Sequence, residues 1–277
     1  LIHKILQHEQ YTMPDPSYLS NVLLIAGADS YWSPIVGRPT IQYASNYYYN
    51  AEHGYENVYE YLGPQYSGCY SHLDDGVAFA NYTAHGSETS WADPNFSVSD
   101  VNNLTNVDKY FWAMGNCCNA ADWGYYSTSF GEAMIRAEEK AAFSYIGSCP
   151  VTYWWEDYYF GVGATTVTNR MPTFEETTMG NYDAQFLEDT YNTIAAVPFV
   201  GNLAVAYSHT ESGYESAATT RYYFEAYHVL GDASIMPYRS MPSENNVSHL
   251  PTVPIGMNFY TVNADPGSYV GISQNGV

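Results

Sequence analysis

Lys109-Tyr-Phe-Trp-Ala-Met-Gly-Asn-Cys-Cys118 is an apolar run of strand length that ends on two adjacent cysteines. Such a run reads as a buried strand. Gly-Asn-Cys-Cys then places a thiol at its carboxyl end, where open α/β sheets gather their chemistry. Two earlier runs finish in the same manner: Val22-Leu-Leu-Ile-Ala-Gly-Ala-Asp29 delivers a carboxylate, and Val77-Ala-Phe-Ala-Asn-Tyr-Thr-Ala-His85-Gly86 an imidazole. If these strands are parallel neighbours, Asp29, His85 and Cys118 converge on one rim, which is the inventory of a cysteine hydrolase.

Working outward, Ser129-Phe-Gly-Glu132 has the form of a capping box and opens a helix over 132–140, followed by a fourth strand over 141–149 that closes at Pro150. Strand, helix, strand at this spacing makes a parallel βαβ unit the economical choice. A surface helix is expected near 97–106 and helical spacing runs from Gln42 to Asn50. The Tyr-rich connection holding His53, Cys69 and His72 reads as loop, and its lone histidines and cysteine as structural. Residues 1–20 look like the last turns of a helix and a Pro-punctuated loop. From Thr173 the pattern turns helical, with period-3.6 apolar faces over 186–197, 201–207 and 222–231 that would cover the sheet. After Pro242 the composition shifts to Ser, Asn and Pro, a linker, and 257–277 reads as two short strands of a second, β-type domain. The expected division is 1–248 and 249–277.

The chain has 277 residues, 46% of them hydrophobic, enough to bury one substantial core. Its 8 Lys+Arg against 29 Asp+Glu give a net charge of −21. That field repels nucleic acid and anionic membrane and attracts cationic ligands such as a basic peptide. Thirty tyrosines beside three lysines suit an extracellular protein. The four cysteines (Cys69, Cys117, Cys118, Cys149) show no metal spacing, and free thiols are expected, a Cys69–Cys149 bridge being the alternative. No run reaches the 18 apolar residues of a membrane span. The start at Leu1 and the turn signal Asn275-Gly276 near the end read as an internal segment of a longer secreted protein.

A free thiol with a pKa near ~8.5 is only about 3% thiolate at neutral pH, so a base is needed beside it. His85 can serve, and Asp29 can accept from its other ring nitrogen, fixing the tautomer. The backbone N–H groups of Gly86 and Cys118 would receive the oxyanion. Each residue also has a bland reading: a buried Cys is a small hydrophobe, a His beyond a strand is often only hydrogen-bonded, and an Asp there is often a helix N-cap.

Tyr82-Thr-Ala-His-Gly-Ser-Glu-Thr-Ser-Trp-Ala-Asp-Pro94 and Gly115-Asn-Cys-Cys118 resemble the gingipain family of cysteine endopeptidases, as do Leu23-Leu-Ile-Ala-Gly-Ala-Asp29, Glu156-Asp-Tyr-Tyr159 and Tyr227-His-Val-Leu-Gly-Asp232. The likeness runs in consistent order over nearly the whole chain and points to the lysine-specific branch. It implies a caspase-like fold: α/β, with a mostly parallel sheet flanked by helices, followed by the beginning of an immunoglobulin-like β-sandwich that would lie in 249–277. By the same resemblance Cys118 is the nucleophile, His85 the general acid/base and Asp29 the third member. Cys117 then faces the interior. Asp157 becomes the floor of the pocket for the side chain before the scissile bond, with Thr83, Asn116, Trp32 and Tyr153 as walls. A carboxylate in a partly dry pocket demands a cation, and a neutral side chain there costs about 3–5 kcal/mol, or on the order of 10² to 10³ in selectivity.

The resemblance further implies no cofactor for the chemistry, structural calcium and sodium, a preceding α/β subdomain, and secretion or display on the surface of a bacterium. Glu132 with the Asp122 loop is a candidate ligand set, its rival being the capping-box role of Glu132. Residues 119–128 depart from the family pattern. The substrates would be proteins or peptides with Lys before the cut. The alternatives are an arginine-specific peptidase, or a surface adhesion or peptide-binding module that keeps the fold without turnover.

Overall fold

A computed structural model describes residues 1–187, 192–212, 220–266, 268, 270 and 271. The chain divides into two compact units, Leu1–Met241 and Pro242–Val277, so the expected boundary at 248 falls just inside the second.

The first unit is built on a six-stranded sheet. Its strands are β1 (Asn21–Ala26), β2 (Asn57–Tyr61), β3 (Phe79–Thr83), β4 (Phe111–Asn116), β5 (Ala142–Ser148) and β6 (Tyr227–Leu230), in spatial order β2-β1-β3-β4-β5-β6. All pairs are parallel except β5 with β6, which is antiparallel. Parallel strands covered on both faces must be apolar on both, and β1 shows it. Val22, Leu24 and Ala26 join a core with Ile41, Tyr43, Phe160 and Val205, while Leu23 and Ile25 join the opposite core with Leu73, Val101, Phe130 and Met134.

The helices that close these cores are α1 (Ile2–Glu9), α2 (Arg38–Tyr47), α3 (Val98–Asn103), α4 (Phe130–Arg136), α5 (Trp154–Val162), α6 (Ala196–Ser212) and α7 (Thr220–Ala226). Two begin on capping boxes, Ser97 with Asp100 and Ser129 with Glu132. The buried Lys4 of α1 donates to the carbonyls of Met134, Ala137 and Lys140 at 3.4, 3.0 and 2.8 Å, satisfying acceptors at the carboxyl end of α4.

Several local expectations are corrected. The connection after α2 contains β2, an edge strand whose Asn57 and Glu60 are exposed, so it lacks the apolar run that marks the other strands. His72 stacks on its Tyr59 with 3.7 Å between ring centroids. Of the helix expected over 186–197, residues 188–191 lie outside the described set, 192–195 are not helical, and α6 begins at Ala196. The helix expected over 222–231 ends at Ala226; the chain then turns into β6, because the open edge of β5 offers Tyr227–Leu230 a ladder of backbone partners. Residues 154–162, which carried no assignment, are helical.

The second unit contains the antiparallel pair Ser248–His249 with Val262–Asn263. One strand falls in the expected 257–277 window and its partner lies earlier, where a linker was expected; residues 267, 269 and 272–277 are outside the described set.

Candidate active site

Three neighbouring strands end side by side and release their chains at the same rim. Register pairs Ala26 with Thr83 and Thr83 with Asn116, so the segments beyond them start at one level. Asp29, His85 and Cys118 stand two or three residues past those ends, in loops positioned by the sheet.

Asp29 does two jobs. Its Oδ1 accepts from the backbone N–H of Tyr31 (2.8 Å) and Trp32 (2.6 Å), and its Oδ2 lies 3.2 Å from His85 Nε2. One oxygen thus closes a local turn and the other faces the imidazole, although Asp29 is not itself the N-cap of the helical turn that starts at Ser33. The Trp32 N–H and the His85 ring hold the Asp29 carboxyl below its ordinary range. The His85 ring meets Trp154 edge-on with centroids 5.0 Å apart, and Trp154 stacks on Trp32 at 5.6 Å.

Cys118 is half-buried and Cys117 fully buried, as alternation requires. All four cysteines are free thiols. The Cys118 sulfur is engaged by Thr152, whose backbone N–H donates to it at 3.3 Å. The carbonyl and hydroxyl oxygens of Thr152 lie 3.6 and 3.8 Å away. Among the described residues no hydrogen bond joins Cys118 to His85. Burial and the neighbouring Asp157 carboxylate push the thiol above its usual pKa. A Cβ on Gly86 would stand 2.5 Å from the Cys118 carbonyl oxygen and 2.6 Å from Cys117 Sγ, so the expected oxyanion corner needs glycine for close approach.

Asp157 lies on the first turn of α5 at only 4% exposure, so a ligand must insert a side chain to reach it. Oδ2 accepts from the Thr152 hydroxyl at 2.6 Å, and Oδ1 has the hydroxyls of Tyr223 and Tyr227 at 3.1 and 3.0 Å. Burial raises its pKa to about 7 against these three hydroxyls, with Glu156 adding to the rise. Asn116 donates from Nδ2 to the Asp157 carbonyl at 2.9 Å and accepts from the Tyr227 hydroxyl at Oδ1. Thr83, fully buried, faces Asn116 across the β3–β4 ladder and accepts from Asn81 at 3.2 Å. Tyr153 is half-buried and donates its N–H to the Tyr223 hydroxyl at 2.9 Å. Asn116, Tyr153 and Thr152 thus gather round Asp157; Thr83 sits one strand away, and Trp32 stacks on the Trp154 ring that meets His85.

Thr152, Trp154, Tyr223 and Tyr227 escaped the sequence reading. Tyr223 and Tyr227 reach Asp157 from 66 and 70 residues away. Their signal was membership of an apolar, Tyr-rich run that looked like a helix face, with Tyr227 also opening one of the stretches that carry the family resemblance.

Glu132 closes the α4 capping box on Ser129 at 3.0 and 3.1 Å and lies 3.6 Å from Arg136, while Asp122 accepts the Gly124 N–H at 3.0 Å. Each carboxylate serves its own turn. Among the described residues no group of three or more His, Cys, Asp or Glu side chains could hold a metal ion. None of the described helices is long and apolar enough to cross a membrane.

The model of peptidase family C25 matches residues 1–238. Lys-gingipain of Porphyromonas gingivalis is 54% identical over 277 residues, which is 100% of this chain and 16% of that protein. Gingipain R2 of the same species is 28% identical over 142 residues, covering 50% of this chain and 19% of its own. A solved structure described as a protease superposes with TM-score 0.95 at 54% identity, over 100% of this chain and 61% of that one. The Arg-specific cysteine proteinase gingipain R superposes with TM-score 0.75 at 19% identity, over 95% and 58%, which speaks for the caspase-like α/β fold alone. The chain spans about a sixth of the length of the lysine-type relative it matches along its whole extent.

Proposed function

The chain belongs to peptidase family C25, and from that premise we propose that it carries the catalytic site of a secreted or cell-surface cysteine endopeptidase that cuts after lysine. Cys118 Sγ attacks the carbonyl carbon of the scissile bond. His85 takes up the thiol proton and later gives it to the leaving amine, and Asp29 Oδ2 steadies the imidazolium through Nε2. The negative oxygen of the tetrahedral intermediate turns toward the N–H groups of Gly86 and Cys118, which close contact keeps together. The thioester so formed is hydrolysed by water with His85 as the base. The substrate rearranges the site, since resting His85 and Cys118 are not hydrogen-bonded to each other.

The observation that carries the lysine preference is Asp157. It is an acid at 4% exposure whose side-chain partners among the described residues are three neutral hydroxyls, with no described cation beside it, so a ligand can supply one. An ammonium fits this need as a compact point charge with three donors. Thr83, Asn116, Tyr153 and Trp32 are assigned to the walls of that pocket.

Fluorogenic peptides ending in Lys, Arg, Asn or Asp test the reading. Cleavage after Lys that vanishes in Cys118→Ala is expected. Undiminished cleavage by that variant ends the assignment of the nucleophile, dominant cleavage after Arg moves the pocket to the arginine class, and no turnover with an unreactive thiol favours a binding module. We assign the antiparallel pair in 242–277 to the beginning of an immunoglobulin-like sandwich, and a preceding α/β subdomain to the full protein. Structural calcium or sodium, if present, would serve folding rather than the chemistry.

A further inference from the structure

Thr152 touches both halves of the site. Its backbone N–H donates to Cys118 Sγ at 3.3 Å, and its hydroxyl donates to Asp157 Oδ2 at 2.6 Å while its oxygen lies 3.8 Å from the same sulfur. A hydroxyl has one proton to give. While Asp157 holds that proton, the Thr152 side chain shows the sulfur only a hydroxyl lone pair, and its carbonyl oxygen lies 3.6 Å away, so the backbone N–H is the one donor Thr152 gives the sulfur. Both oxygens are acceptors and favour S–H, leaving the Thr152 N–H alone to favour S⁻.

We propose that Thr152 is a positioning residue that makes ionisation of Cys118 conditional on an alkylammonium seated at Asp157. The ammonium brings three donors to the carboxylate and takes over the place at Oδ2. The Thr152 hydroxyl is then released to turn about its Cα–Cβ bond and donate to the sulfur. The thiol loses its proton to His85, and S⁻ keeps two donors from a single residue, the N–H and the O–H of Thr152. The correct side chain before the scissile bond thereby raises the nucleophile it is presented to. This inference rests on the lysine reading of the pocket.

Other groups facing Asp157 do not offer this route. The Tyr223 and Tyr227 hydroxyls address Oδ1, and Glu156 pairs with His209 at 3.3 Å across α5 and α6. Cys117 is buried on the far side of its strand end, and Tyr222 gives its hydroxyl to the Val151 carbonyl at 2.8 Å. Burial together with the Asp157 charge pushes the resting thiol above its usual range, while the hydrogen bonds from Thr152 pull the other way.

The test follows the pH profile of Cys118 alkylation by iodoacetamide in the full protein, with and without saturating n-butylammonium, in native, Thr152→Ser and Thr152→Val forms. The midpoint is compared rather than the amplitude, since the amine also crowds the site. In native and Thr152→Ser protein the amine should lower the midpoint by about one unit, equivalent to roughly tenfold more thiolate at neutral pH. In Thr152→Val, which keeps the N–H and the side-chain shape, only the through-space effect of the ammonium remains, and the displacement should fall to less than half. An equal displacement in all three overturns the role of Thr152 while leaving the lysine pocket standing. Competitive inhibition of Lys-peptide cleavage by the amine reports on the pocket independently, and its absence overturns the lysine reading and this inference with it.

Discussion

Asp157 carries its charge in a place that resists it, and that tension is measurable. Its folded pKa is raised from 3.8 to about 7, so the folded protein holds the proton more tightly than the unfolded chain does. The stability tied to that proton is complete below the unfolded value and is lost as pH climbs through the folded one. Asp157→Asn, which cannot ionise, should therefore melt progressively higher than the parent protein as pH rises from about 5 to about 8. The difference at the alkaline end is of order a few kcal/mol, and scanning calorimetry at both pH values checks it. The same variant should lose on the order of 10² to 10³ in kcat/KM for Lys peptides and much less for uncharged ones. Gly86 is the second informative residue. Gly86→Ala drives a methyl into the Cys118 carbonyl and Cys117 Sγ, and kcat should fall about 10²-fold with a smaller change in KM, because the corner is proposed to serve the transition state.

At the level of secondary structure, α4 shows how a local signal and the surroundings of the candidate site share residues. Ser129 and Glu132 cap the helix that backs β5, and Phe130 N–H donates to the Glu88 carbonyl at 2.8 Å in the hairpin following His85. Ser129→Ala should cost about 1 kcal/mol in urea unfolding, the usual loss for an N-cap. If Glu132 holds the fold through its cap rather than through an ion, a chelator leaves that unfolding midpoint unmoved. β6 teaches the opposite lesson. Tyr227-His-Val-Leu is too short for helical and strand periodicity to be told apart, and the backbone donors and acceptors along the edge of β5 decided the matter. That decision is functional, since turning the chain at Ala226 is what brings the Tyr227 hydroxyl to Asp157 and Asn116.

Over the molecule as a whole, a net charge of −21 sets a long-range field around a site proposed to accept a cation. For tri- or tetrapeptides rich in Lys, kcat/KM should drop several-fold between about 20 mM and 300 mM salt, while neutral peptides carrying a single Lys change little. Equal salt sensitivity for both would confine the electrostatics to Asp157.

Much of this molecule could be read from residue order because its information there is local. Strands buried on both faces announce themselves as apolar runs, as in Val22–Ala26, and the residues proposed for the chemistry, Asp29, His85 and Cys118, stand just beyond three of them. The Ser129–Glu132 cap is likewise a four-residue pattern. What folding alone settled are contacts between segments far apart in the chain: the engagement of Cys118 by Thr152, the hydroxyls of Tyr223 and Tyr227 on Asp157, and the change of α7 into β6. The reason is physical. A hydroxyl that will hold a buried carboxylate looks, in sequence, like any other aromatic on an apolar face, and only packing reveals which of thirty tyrosines has an acid waiting for its proton.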